Sequence, residues 1–136
     1  MSATEAPTIV TGVDFVSIPT QDLARAVEFY GTTLGLRRSV HMPERNFAEF
    51  ETGTVTLSVV DPAKMGIGDF KPNANHLALH VEDVAKSRAE LESRGVSFMG
   101  DIFDTGVCHM AFFADPDGNA LMLHRRYAPY LDGNHA

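Results

Sequence analysis

A chain of 136 residues with 44% hydrophobic and 21% charged side chains can bury a core without staples and has no room for two ordinary domains. Its formal charge of -7 argues against a general nucleic-acid binder, which needs a basic face to displace phosphate counterions. One cysteine, Cys108, excludes an internal disulfide.

No apolar run reaches the length of a membrane span, and residues 1–10 carry neither a basic residue nor a long apolar stretch. The expectation is a single cytoplasmic domain with tails at 1–11 and 125–136.

In chain order, Val13 to Ile18 alternates as a strand and stops at Pro19-Thr20. Leu23, Val27, Tyr30 and Leu34 then step by four, three and four, one face of a helix, with Thr20 as candidate N-cap and Gly35 as the stop. Strands follow at Leu36 to His41, Asn46 to Glu51 and Val55 to Val60, separated by Pro43-Glu44 and Thr52-Gly53. A linker runs over about 61–75; its Met65, Ile67 and Phe70 are expected to form either a lid or a small satellite core.

The pattern then starts again. Asn75 to Val81 is a strand, Asp83 to Arg94 a helix closed by Gly95, and Val96 to Phe103 and Val107 to Ala114 are strands. Asp115-Pro116-Asp117-Gly118 has the composition of a type I turn, and Asn119 to His124 is the last strand. Asp22-Leu23-Ala24-Arg25 matches Asp83-Val84-Ala85-Lys86 at a shift of 61, and Leu34-Gly35-Leu36 matches Arg94-Gly95-Val96 at a shift of 60. The economical fold is α+β, two tandem βαβββ modules at about 12–61 and 75–124, whose mixed sheets curl into a partly closed cup.

Three segments carry a family likeness: Val13-Asp14-Phe15-Val16-Ser17-Ile18-Pro19 with Phe29-Tyr30 and Leu34-Gly35-Leu36; Asn75-His76-Leu77-Ala78-Leu79-His80-Val81; and Phe112-Phe113 with Asp115-Pro116-Asp117-Gly118-Asn119. Together they resemble the vicinal oxygen chelate superfamily of glyoxalase I, bleomycin-resistance proteins and extradiol dioxygenases. The resemblance implies a divalent metal held from the first, fourth, fifth and eighth strands. Those positions fall here on Phe15, Ser58, His76 and Met122. A phenyl ring cannot ligate such an ion, a thioether is a poor partner for one, and a serine hydroxyl is weak, so the family's metal site is not expected in its usual shape. No cofactor is expected.

Alternation predicts the rest of the cup. Phe15 brings Ser17 inward, and His76 brings Ala78 and His80. Met122 brings Ala120 and His124, and Phe47 or Glu49 joins them. His109 is a further candidate. Such a surface suits a planar organic ligand, although Phe15 and Met122 could instead fill the centre. Two readings stay open. One is a metal-independent protein that binds or sequesters a hydrophobic or aromatic small molecule, by analogy with antibiotic resistance in the bleomycin-resistance branch. The other is a lyase, isomerase or dioxygenase with acid/base chemistry or a metal relocated to His76, His109 and His124; the three poor ligands weigh against an enzyme. The resemblance also implies a homodimer with two sites. Cys108 reads as a small buried apolar group.

Overall fold

The main helix of each half is started by the same local device. Asp22 accepts from the backbone N–H of Arg25 at 3.1 Å, and Asp83 from that of Lys86 at 3.0 Å, so each carboxylate satisfies a donor that the first helical turn leaves open. The computed structural model describes residues 6–130. The first helix, α1, spans Leu23–Glu28 and continues as a π turn at Phe29–Thr33; α2 is Pro62–Met65 and α3 is Val84–Ser93. The strands are β1 Phe15–Pro19, β2 Arg37–Met42, β3 Phe47–Glu51, β4 Thr56–Val60, β5 Leu77–His80, β6 Phe98–Asp104, β7 Cys108–Ala114 and β8 Ala120–Arg126.

Two mixed sheets result, ordered β1-β4-β3-β2 and β5-β8-β7-β6. In each, the first strand runs parallel to the fourth and the others pair antiparallel. One edge strand of each sheet carries a register irregularity, between Arg38 and Val40 in β2 and between Met99 and Phe103 in β6. The tandem α+β organisation expected from the repeat is the one observed. Among the described residues no ladder joins the two sheets, so they do not meet edge to edge.

Ile18, Phe50, Leu57 and Tyr30 of the first module share one continuous core with Leu91, Phe113, Leu121 and Leu123 of the second. The modules therefore pack helix side to helix side, and the other face of each sheet turns outward. Full burial of rings such as Phe50 and Phe113 contributes about 1.5–3 kcal/mol each. Most polar contacts of the seam are at the β7–β8 turn: the Tyr30 hydroxyl donates to Asp115 Oδ2 at 2.6 Å, the Thr20 hydroxyl to Asp117 Oδ2 at 2.6 Å, and Asn119 Nδ2 to the Pro19 carbonyl at 2.8 Å; away from it Arg94 Nη1 donates to the Thr33 carbonyl at 2.9 Å.

Several boundaries differ from the sequence reading. The cap of α1 is Asp22, because the Thr20 hydroxyl is turned to Asp117 across the seam. The strand at the start begins at Phe15, leaving Val13 exposed. The sixth strand begins at Phe98, because the Val96 N–H closes α3 onto the Leu91 carbonyl. The linker contains α2, capped by Asp61, and Met65 at its end and Ile67 beyond it are exposed rather than clustered in a core. The turn at 115–118 forms as its composition requires, with the Gly118 N–H on the Asp115 carbonyl at 3.0 Å. Among the described residues no helix is long and apolar enough to cross a membrane.

Candidate functional site

The outward face of the first sheet is set by alternation against the buried residues Ile18, Leu57, Val59, Ala48 and Phe50. Ser17, Ser58 and Glu49 stand in register across β1, β4 and β3, flanked by Phe15 and Thr56 on one side and Phe47 and Val60 on the other. Phe15 is 54% exposed, while Ser58, in the middle of the face, is only 4% exposed. The Glu49 carboxylate has no hydrogen bond or ion pair among the described residues. Its neighbour Glu51 takes hydrogen bonds from the hydroxyls of Ser39 and Thr56, which hold that carboxyl below the usual range.

On the second sheet Leu121, Leu123, Ala111 and Phe113 are buried inward, so Met122, His124, Phe112 and Met110 face out. Ala78 and His80 lie beside Met122 and His124 in the parallel register. His76, just before β5, sets its ring edge-on to Phe112 at 4.9 Å. Met99 and Phe103 pair with Phe112 and Met110 and share this face; they are 53% and 55% exposed. The sequence reading missed Phe112, Met110, Met99 and Phe103 as part of it. Alternation from Met122 through its partner Phe112 was the signal that could have found them.

Phe15, Ser17, Phe47, Glu49 and Ser58 thus gather on one face, and His76, Met122 and His124 on the other, as alternation predicts. The two groups lie on separate sheets, and among the described residues no hydrogen bond, ion pair or ring contact joins them. His109 does not belong with either. It shares its side of β7 with the core residues Ala111 and Phe113, its ring lies 4.8 Å from that of Tyr127, and its Nε2 is 3.4 Å from Asp104 Oδ2. The Tyr127 hydroxyl also donates to Asp104, at 2.8 Å. The Gly106 N–H and then that hydroxyl hold the Asp104 carboxyl low, and the same bond pushes the Tyr127 phenol up. Cys108 is buried and free, as expected.

The four positions at which the resemblance places a divalent metal are poor in donors. Of the four positions from which the resemblance would draw ligands, Phe15 and Met122 offer a ring and a thioether, Ser58 a hydroxyl, and only His76 a good donor. Among the described residues no three of His, Cys, Asp and Glu stand close enough to share an ion. The relocated set His76, His109 and His124 is not brought together, because one residue of parity puts His109 on the opposite side of its sheet. The nearest approach to a donor cluster is His80, whose Nε2 lies 2.6 Å from Glu82 Oε2 and whose strand partner is His124. That contact holds the Glu82 carboxyl low.

The paired βαβββ modules and their outward faces define a class, and the sequence confirms it: residues 12–123 match the Glyoxalase/Bleomycin resistance protein/Dioxygenase superfamily, to which this chain belongs. Among individual relatives, the uncharacterized protein YraH of Bacillus subtilis (strain 168) is 28% identical over 115 residues, 76% of this chain and 90% of that one. TnmS3, an antibiotic binding protein from Streptomyces sp. CB03234, superposes with a TM-score of 0.73 at 26% identity, covering 88% of this chain and 99% of its own. A lactoylglutathione lyase from Agrobacterium tumefaciens shares the fold at 18% identity, with a TM-score of 0.72 and coverage of 85% and 94%. One backbone thus serves a binding protein and an enzyme, and the side chains must decide between them.

Proposed function

We propose that this protein is a metal-independent binder of a hydrophobic or aromatic small molecule, an antibiotic being the class suggested by its similarity to TnmS3. The observation that carries the reading is the make-up of the outward faces. At three of the four positions where a metal would need donors stand Phe15, Ser58 and Met122, and around them lie Phe47, Phe112, Met110, Met99 and Phe103. Aromatic rings stack on planar ligands, and thioethers adapt to irregular outlines. Glu49 and His76 are the polar handles that would orient the ligand.

Each chain carries half a cup on each sheet, so a second chain would complete two. The proposal includes that homodimer, and it follows from the exposed apolar surface on both faces.

The second reading, an enzyme with a relocated metal, has one observation in its favour, the neighbouring His80 and His124 with Glu82 in contact. Metal analysis of the native purified protein separates the two, before and after chelator treatment and re-addition of Mn, Fe(II), Ni and Zn. The binding reading expects no stoichiometric metal and saturable binding of aromatic natural products by calorimetry. One tightly held metal per chain would overturn it and favour the enzyme.

A further inference from the structure

The internal repeat relates two junctions between the modules: one is closed by a cluster of contacts to carboxylates, whereas the other has no carboxylate at its turn and carries one contact, from Arg94 Nη1 to the Thr33 carbonyl at 2.9 Å. At the closed one the β7–β8 turn lies against α1. Tyr30 donates to Asp115, while the Thr20 hydroxyl, the Gln21 N–H and Arg25 Nη2 converge on Asp117 at 2.6, 2.9 and 3.2 Å.

The repeat supplies the counterpart of each group. Tyr30 maps onto Leu91, because the N–H of Leu36 closes onto the Tyr30 carbonyl as that of Val96 closes onto Leu91. Arg25 maps onto Lys86, each donating its N–H to the capping Asp. Asp115 maps onto Thr52, because the Thr52 N–H meets the Val55 carbonyl as the Asp115 N–H meets that of Asn119. The β3–β4 turn is one residue shorter, with Gly53 and Thr54 where the other has Pro116, Asp117 and Gly118. It offers no carboxylate. Lys86 therefore lacks the acid that its counterpart has, and its ammonium makes no hydrogen bond or ion pair among the described residues.

The space at this second junction is a cavity of about 740 Å³, open to solvent. Leu36, Val55 and Leu57 line it from the first module and Leu77, Leu79 and Leu91 from the second. Small-molecule sites run from about 300 to 1,000 Å³. Apart from the imidazole of His80 the lining holds no ring, which sets it apart from the outward faces and suits an acyl chain. Of the charges on the rim, Glu90 and Arg94 pair at 3.1 Å and His80 meets Glu82, so Lys86 is the cation left to neutralise.

We propose that the open junction binds an aliphatic carboxylate, its chain in the groove and its head beside Lys86, where Asp117 stands beside Arg25 in the other half. This site opens on the helix side of the sheets, touches the outward face only at Ala78 and His80, and does not depend on the reading of that face.

Dodecanoate, kept below its micelle concentration, is the probe. The chain contains no tryptophan, so Thr54→Trp, on the exposed β3–β4 turn, supplies a single indole at the groove mouth. Saturable change in its emission is expected. Calorimetry on the unmodified chain guards against an effect of the indole itself. Lys86→Gln should weaken dodecanoate about tenfold and leave dodecanol unchanged, and Phe15→Ala on the outward face should change neither. No saturable binding by the unmodified chain would overturn the proposal, as would equal affinity in Lys86→Gln. Loss of binding in Phe15→Ala would overturn it by moving the acid to the outward face. Binding seen only on dilution to monomer would overturn it in favour of a second copy as the occupant.

Discussion

At the scale of single residues, Asp115 is the group on which the seam between modules turns. It is buried and takes hydrogen bonds from the Tyr30 hydroxyl, from Asn119 Nδ2 and from the N–H groups of Asp117 and Asn119, at 2.6 to 2.9 Å. Removing the Tyr30 hydroxyl leaves Asn119 Nδ2 on the same oxygen, so Tyr30→Phe should cost about 1–3 kcal/mol rather than unfold the chain, read by urea denaturation. Burial first, then the charge of Asp115 and the bond to it, push the Tyr30 phenol far above its ordinary value. A raised folded pKa means that this stabilisation is complete below the unfolded value near 10 and fades as pH climbs beyond it. An ultraviolet titration should therefore show Tyr30, one of three tyrosines, ionising only as the protein unfolds in alkali. A third phenol titrating reversibly in the folded state would contradict the buried bond. Neither partner is conspicuous in the sequence: Tyr30 reads as one more apolar helix position and Asp115 as a turn residue. Their bond spans 85 residues, which no local pattern encodes.

At the scale of elements, the start and stop of α3 were legible because their causes are local, whereas the cap of α1 was read as Thr20 and α2 as linker. Asp83 and Gly95 bracket α3; Gly95 sits at φ 92°, a left-handed conformation that an L side chain resists. Asp83→Ala should lower stability by about 1 kcal/mol. Gly95→Ala, whose new methyl would meet no atom within 4 Å, should cost about 1–2 kcal/mol for backbone reasons alone. Thermal melts of the two variants and their combination test this, with additive losses expected for opposite helix ends. The π turn was written in the sequence too, though not in its periodicity. The repeat shift falls from 61 at the caps to 60 at the closing glycines, so α1 together with its π turn holds one residue more than α3. A helix accommodates a single insertion by a turn of i→i+5 bonds, and the Leu34 N–H meets the Phe29 carbonyl at 2.9 Å. Reading the change of shift as an insertion would have located it.

At the scale of the whole molecule, alternation gave each sheet its outward face but not the way the sheets are set against each other. That arrangement depends on Tyr30, Thr20 and Asn119 reaching residues 85 to 100 positions away. Its consequence is that Phe15 and Ser58 stand on one sheet and His76 and Met122 on the other, and the proposed homodimer would bring them face to face. A stable pairing of this kind buries roughly 1,200–2,000 Å², and sedimentation should give a dimer that dissociates only on strong dilution. The same geometry makes a sharper prediction. Phe15→His combined with Met122→Glu would surround the His76 of a facing sheet with a second imidazole and a carboxylate, a donor set that suits Zn or Ni. Equilibrium dialysis should find two metals per dimer in the double variant and none in either single variant, with uptake lost when the protein is diluted to monomer. A folded, dimeric double variant that takes up no metal would show that the faces do not meet in this register. A folded monomer would instead remove the second chain from the site.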